Sequence, residues 1–171
     1  MTRGVAAFGR IKRCALRAHG FGVYADHLFE TFPQARRKAV FRVTGTGKGQ
    51  AIGPGDPKSL YLYRATPERV VDGDTIILKV HLGFGIIKRD RFRLGSVNLP
   101  ESSETTGKRL STWLRKRLKT ADPVIIRTHG NDRYARYLAD ILYLPGERDA
   151  EKVLKEGRHL NAELLDLGYE A

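Results

Sequence analysis

Cysteine is almost missing from this sequence: Cys14 is the only one in 171 residues. That excludes an intramolecular disulfide and any zinc site built on several cysteines. No apolar run approaches the roughly 18 residues that a membrane-spanning helix needs. The basic N-terminus (Arg3, Arg10, Lys12, Arg13, Arg17) is interrupted by Gly and Arg rather than followed by the apolar stretch of a secretory signal. With neither feature read, no membrane partner is expected, and the location is cytoplasmic or left open. Five histidines, His19, His27, His81, His129 and His159, are scattered without ligand spacing, which argues against a histidine-based metal centre. Acidic residues are also scarce: 19 Asp and Glu face 31 Lys and Arg, for a net charge of +12. Such a surplus favours a polyanionic partner, and nucleic acid is the commonest.

What is present divides unevenly. Residues 1–57 hold ten basic and three acidic side chains and end in two Gly-rich stretches, Thr44 to Gln50 and Gly53 to Pro57. This part is expected to be a basic N-terminal extension closing in a Gly/Pro-rich linker, either disordered or carrying short basic helices over 10–18 and 34–43. Gly47-Lys48 is not a phosphate loop. The position five before Gly47 is Arg42 rather than Gly, and Lys48 is followed by Gly49 rather than Ser or Thr.

From residue 58 the pattern becomes that of strands. Residues 60–71 are rich in Leu, Tyr and Val, and Asp72-Gly73 is a turn signal. Over 74–82, Ile76, Leu78 and Val80 alternate with Thr75, Lys79 and His81, and over 86–97 Arg91 and Arg93 alternate with Phe92 and Leu94. Leu110, Trp113, Leu114 and Leu118 form one stripe of a helix over 106–119. Strands over 124–129 and 136–144, a short helix over 149–157 and a final helix over 160–167 complete the pattern, with Gly168 as a C-terminal stop. Five strands with a helix between the third and fourth is the order of an OB-fold barrel, an α+β arrangement.

Three segments carry groups suited to phosphodiester chemistry: Asp72-Gly73-Asp74-Thr75, Arg93 through Asn98-Leu99-Pro100-Glu101, and Asp132-Arg133-Tyr134-Ala135-Arg136. Hydrolysis needs a hard cation to neutralise the phosphate, donors for its equatorial oxygens, and a group that positions or deprotonates water. Oxygens at Asp74 and Asn98 can serve calcium or magnesium, Arg93 and Arg136 can bind phosphate bidentately, and Glu101 can handle the water. Each segment alone also has an ordinary explanation as a turn, a solvated arginine or a helix cap.

Together the segments resemble the staphylococcal nuclease (thermonuclease) family. Its D-G-D-T turn matches Asp72 to Thr75, its R-L-x-x-[VI]-[DN]-x-P-E pattern matches Arg93 to Glu101, and its D-[KR]-Y-x-R-x-L-A pattern matches Asp132 to Ala139. Its N-x-x-L-[LV]-x-x-G helix matches Asn161, Leu164, Leu165 and Gly168. The resemblance runs over residues 58–171. It implies a five-stranded barrel with calcium held by Asp74, Asn98 and the Leu99 carbonyl. Arg93 and Arg136 would clamp the scissile phosphate, Glu101 would serve the water, and Arg133 and Tyr134 would lie against the nucleotide. It further implies cleavage of DNA and/or RNA with little sequence preference, leaving 3′-phosphates; an exposed phosphate clamp favours endonucleolytic action, and a monomer is the expectation. The alternative it allows is a nucleic-acid-binding module that has lost catalysis. Asn98 stands where many members carry Asp, which removes one negative charge from the metal site. The sequence ends at Ala171, so the nucleotide contacts that longer members draw from a further helix are not expected.

Overall fold

The computed structural model describes the backbone of residues 8–12, 15–18, 23–25, 40–44 and 51–54, and residues 61–83, 86–97 and 105–169 in full. The first group forms an antiparallel sheet of β1 (Phe8–Lys12), β2 (Ala15–Ala18), β3 (Val23–Ala25), β4 (Val40–Thr44) and β5 (Ala51–Pro54), in the order β3-β2-β1-β4-β5. The basic helix expected over 10–18 is therefore replaced by two paired strands, Arg10 opposite Arg17 and Ile11 opposite Leu16. The helix expected over 34–43 runs into strand β4 from Val40 onward, and its earlier part, residues 34–39, lies outside the described residues. Ala51–Pro54, part of which was assigned to the linker, pairs with β4 as an edge strand, a position that tolerates proline because one side of the ladder is free.

The second group builds a closed barrel. Its strands are β6 (Leu62–Val70), β7 (Thr75–Gly83), β8 (Ile86–Leu94), β9 (Val124–Asn131) and β10 (Tyr137–Tyr143). The ladder runs β10-β8-β7-β6-β9, and β9 pairs back onto β10 to close it. All pairings are antiparallel except β8 with β10. Helix α1 (Thr105–Leu118) lies between β8 and β9 in the chain, and α2 (Ala150–Glu156), the short strand β11 (Arg158–His159) and α3 (Leu160–Asp166) follow β10. This is the α+β, five-stranded OB-fold barrel.

Alternation explains the closure. Ile76, Leu78, Val80, Phe92, Leu94, Ile126 and Ile141 face inward and are at most 1% exposed, while alternate residues point to the outer face, where Thr75, Ile77 and Ile125 are buried in turn. α1 adds Leu110, Leu114 and Leu118 to the same core, and α3 adds Leu160 and Leu164. α2 covers a smaller cluster with Ala150 and Val153 over Leu62 and Ile125. α2 starts on an Asp149 side chain that accepts from the Glu151 amide, and Gly168 ends the α3 region in the left-handed conformation, φ +87°.

Among the buried polar side chains, Asn161 is tied to three backbone groups. Asn161 Oδ1 accepts from the Ile141 amide at 3.1 Å, and Nδ2 donates to the Gly95 and Ala139 carbonyls at 3.0 and 3.1 Å. These bonds fasten α3 to the ends of β8 and the middle of β10. Asn161→Ala leaves the Ile141 amide and the Gly95 carbonyl without those partners, and each orphaned buried group costs about 1–3 kcal/mol. The expected result is a loss of about 2–4 kcal/mol in urea unfolding with an unchanged slope; a loss below half a kcal/mol, on the order of an ordinary surface change, contradicts it.

Candidate functional site

The outer face of the barrel gathers three of the sequence-predicted residues at the ends of β7, β8 and β10. Thr75 pairs with Arg93 across β7 and β8, and Arg93 pairs with Leu138 across β8 and β10. Arg136 sits two positions before Leu138, so period-two alternation puts it on the face that carries Thr75 and Arg93. Asp74 immediately precedes β7, and its carbonyl accepts from the Leu94 amide at 2.8 Å, which holds the turn against β8.

Two aspartates shape the local backbone. Asp72 Oδ1 accepts from the amides of Asp74 at 3.1 Å and Thr75 at 2.8 Å, so the Asp-Gly-Asp turn is organised by its first carboxylate. Asp132 does the same before β10, where Oδ1 accepts from the amides of Tyr134 and Arg136, both at 2.9 Å. Ala135 adopts φ +59° inside this second turn. Asp132 Oδ2 also accepts from Arg136 Nε at 2.7 Å and contacts Nη2 at 2.7 Å. Two contacts at that distance fix the guanidinium plane.

A continuous polar chain then joins the two arginines. Arg136 Nη1 donates to Thr75 Oγ1 at 3.1 Å, Thr75 Oγ1 donates to Asp74 Oδ1 at 2.8 Å, and Arg93 Nε meets Asp74 Oδ2 at 3.2 Å. Arg93 is held more loosely than Arg136, since its contact is longer than the usual range for charged pairs.

The two acids that anchor the arginines differ in electrostatics. Burial raises the Asp74 carboxyl above its ordinary value; the Thr75 hydroxyl bond and the Arg93 charge pull it down, and Asp72 pushes it up again. Burial also works to raise Asp132, but the amide and guanidinium bonds from Arg136 and the Tyr134 amide outweigh it and leave the carboxyl lowered. Asp132 is thus held by two amides and a guanidinium, whereas Asp74 is desolvated and meets one hydroxyl and the longer Arg93 contact. A desolvated carboxylate suits a hard cation, which would compensate the buried charge.

Tyr134 stands beside the arginines with 64% of its surface exposed. The Arg133 guanidinium carbon lies 4.8 Å and that of Arg136 5.4 Å from its ring centre. The ring is free on its outer side for stacking.

Asn98, Leu99 and Glu101 lie outside the described residues. Among the described residues, no group of three or more His, Cys, Asp or Glu side chains is arranged to hold a metal ion, so Asp74 is the one predicted ligand with a described position. The Asp72-Gly73 turn read from the sequence is the one the structure shows, whereas Thr75 and Asp132 appear in the motifs without a role; the signal for Asp132 is its spacing from Arg136, which closes a turn.

A pair of arginines beside a desolvated carboxylate on the outer face of a closed barrel is an arrangement that can receive the oxygens of an anion such as phosphate. No family model matches the chain. It is 26% identical over 129 residues to Endonuclease YhcR of Bacillus subtilis (strain 168), a similarity that covers 68% of this chain and 9% of that protein. No described helix is long and apolar enough to cross a membrane.

Asp132 gives a pH signature. Its folded-state pKa lies below the unfolded value of about 3.9, so its ionised form contributes stability above that value and the contribution is lost as pH falls through the folded pKa. Asp132→Asn should lower the Tm at neutral pH, with the gap to wild type narrowing once the pH is below about 4. Thermal unfolding followed across that range checks this; a gap that is unchanged in acid contradicts it.

Proposed function

We propose that this chain is a calcium-dependent nuclease that hydrolyses phosphodiester bonds of DNA or RNA with little sequence preference, endonucleolytically and leaving 3′-phosphates. The observation that carries this reading is the chain Arg93–Asp74–Thr75–Arg136, which sets two guanidinium groups and a desolvated carboxylate side by side on the exposed face. The similarity to an endonuclease and the match to the staphylococcal nuclease motifs support it.

Arg136, oriented by Asp132, donates to the phosphate from one side. Arg93 exchanges its long contact with Asp74 for a phosphate oxygen on the other. Charge growing on the equatorial oxygens in the transition state strengthens both contacts, so they lower the barrier rather than merely hold substrate. Asp74, with Asn98 and the Leu99 carbonyl, would hold calcium. Bound there, calcium supplies Lewis acidity and neutralises part of the phosphate charge. Glu101 takes the proton of the attacking water. Water oxygen bonds to phosphorus, the bond to the 5′-oxygen breaks, and that oxygen leaves as a hydroxyl after gaining a proton. Tyr134 and Arg133 lie against the neighbouring nucleotide. Phosphate is common to every nucleotide, which accounts for the weak sequence preference.

Plasmid DNA incubated with the purified protein should be cut with calcium and left intact with a chelator. Glu101→Gln and Arg136→Ala should each abolish most cutting while the fold persists, the loss of the arginine slowing it on the order of 10³-fold or more. DNA that is bound yet uncut under all conditions would indicate a binding module instead. Calcium should bind the free protein weakly, in about the 10⁻⁴–10⁻³ M range of sites with few charged ligands. Asn98→Asp should tighten it, measured by calorimetry; unchanged affinity removes position 98 from the ligand set.

A further inference from the structure

The outer face of the three-stranded meander β6–β7–β8 carries positive charge well beyond the clamp. On β8, Phe92 and Leu94 point into the core, so Arg89, Arg91 and Arg93 share the outer face. Arg89 and Arg91 are exposed and Arg93 is partly buried. Across the ladder Arg91 stands in one rung with Ile77 and Arg69, and Arg89 in the next with Lys79 and Thr66. The cations therefore continue away from Arg93 in two adjoining rungs.

Glu68 is the acid paired with these cations, and Asp122 stands at the edge of the second rung, where its Oδ1 accepts from Thr66 Oγ1 at 3.0 Å. Glu68 sits in the β6 bulge between Pro67 and Arg69 and its Oε2 accepts from Arg89 Nε at 2.7 Å. The Arg89 hydrogen bond holds its carboxyl below the ordinary value against the effect of burial, with the charges of Arg89, Lys79 and Arg69 adding to it. One carboxylate thus answers several cations, and among the described residues no carboxylate pairs with the Arg91 guanidinium; Asp90 Oδ1 accepts from the Arg91 amide, at 2.8 Å. The face remains positive with Glu68 in place.

We propose that this face is a track for an unpaired nucleic-acid strand, which extends the cleavage site from the Arg93–Arg136 clamp along β8 to Arg91 and Arg89. The proposal rests on the nuclease reading for the position of the scissile phosphate but not for the binding itself. Alternate side chains on a strand are about 6.7 Å apart, close to the step between successive phosphates of an extended single strand. An unpaired strand bends to follow a twisted barrel surface and leaves its bases free to stack on the exposed Tyr134 ring at the clamp end. Glu68 lies within the track as a competing anion on Arg89, so it limits affinity.

The test is binding of the full chain to a fluorescent single-stranded oligonucleotide of about eight residues, within the site size of one OB fold, measured against salt in the presence of chelator. Removing one cation that neutralises a phosphate of a single strand reduces the slope of log affinity on log salt by about 0.7. Arg91→Ser should reduce it by that amount, and Arg148→Ser, the same charge change at an exposed position just before α2, should leave it alone. Glu68→Gln should tighten binding, and Glu156→Gln should not. Arg91→Lys should restore most of the slope, which separates the removal of charge from a failure to fold. Equal effects of Arg91→Ser and Arg148→Ser, or no effect of either, overturn the track; an equally large effect on a duplex of the same length overturns the unpaired-strand assignment. Because no turnover is read, binding along the track without any cutting under calcium would sink the nuclease reading and leave the track standing.

Discussion

The parallel pairing of β8 with β10 is the contact on which the rest of this structure depends. Every other pairing in the barrel is antiparallel and joins strands that neighbour each other in the chain or close the circle through β9. The β8–β10 ladder is the parallel link in the ring, and it is short, running from Tyr137 opposite Phe92 to Ala139 opposite Leu94. Its end is reinforced twice. The Gly95 amide donates to the Ala139 carbonyl at 3.0 Å, and the buried Asn161 amide donates to the Gly95 and Ala139 carbonyls. Parallel pairing requires a long crossover, and here that crossover contains α1, which plugs the core with Leu110, Leu114 and Leu118. The same join places Arg136, far along the chain from Arg93, on the shared outer face. Core closure and site assembly are therefore one event.

Electrostatics at the site divides labour between two carboxylates of the same type. Asp132 accepts two backbone amides and a guanidinium, and those bonds overcome its burial. Asp74 accepts one hydroxyl and a long arginine contact, and burial dominates. A fully bonded acid is a structural part, since changing its partners costs stability. A desolvated, under-bonded acid is poised for a cation, and titratable groups perturbed in this way concentrate at functional sites. On the proposed reading, calcium and phosphate binding would relieve the desolvated Asp74 and release Arg93 toward substrate, while Asp132 keeps Arg136 in place.

Much of the barrel was legible in the sequence because its signals are local. Alternation of Ile76, Leu78 and Val80, the Asp72-Gly73 turn and the Leu110-Leu114-Leu118 stripe each report on residues a few positions away, and the strands and helices formed there. What joins them is not local. Nothing in the spacing of Asp132 and Arg136 announces the Thr75 hydroxyl that links Arg136 to Asp74, because that contact exists only once the ring has closed. Asn161 reads as one residue of a helix motif, and its role in tying three backbone groups emerges only from burial. The outer arginines read as a solvated face until the register aligned Arg91 with Arg69 and Arg89 with Lys79. In the first part of the chain, basic residues suggest helices, whereas Phe8–Lys12 and Ala15–Ala18 pair as strands; charge spacing over so short a segment does not discriminate the two periods, and while Phe8 and Ile11 favour a strand, Ala15–Ala18 has no such residue and is extended through its pairing with β1.

The central claim is that Arg93 and Arg136, brought together by ring closure, act on one phosphate. A double-mutant cycle on cleavage rate, with Arg93→Ala, Arg136→Ala and both together, tests it most directly. If the two guanidinium groups stabilise charge on the same phosphate, their effects are strongly coupled, and the double variant is slowed far less than the product of the single losses. Losses that multiply without interaction, in proteins whose unfolding curves show the fold intact, would contradict a shared phosphate and with it the site as described.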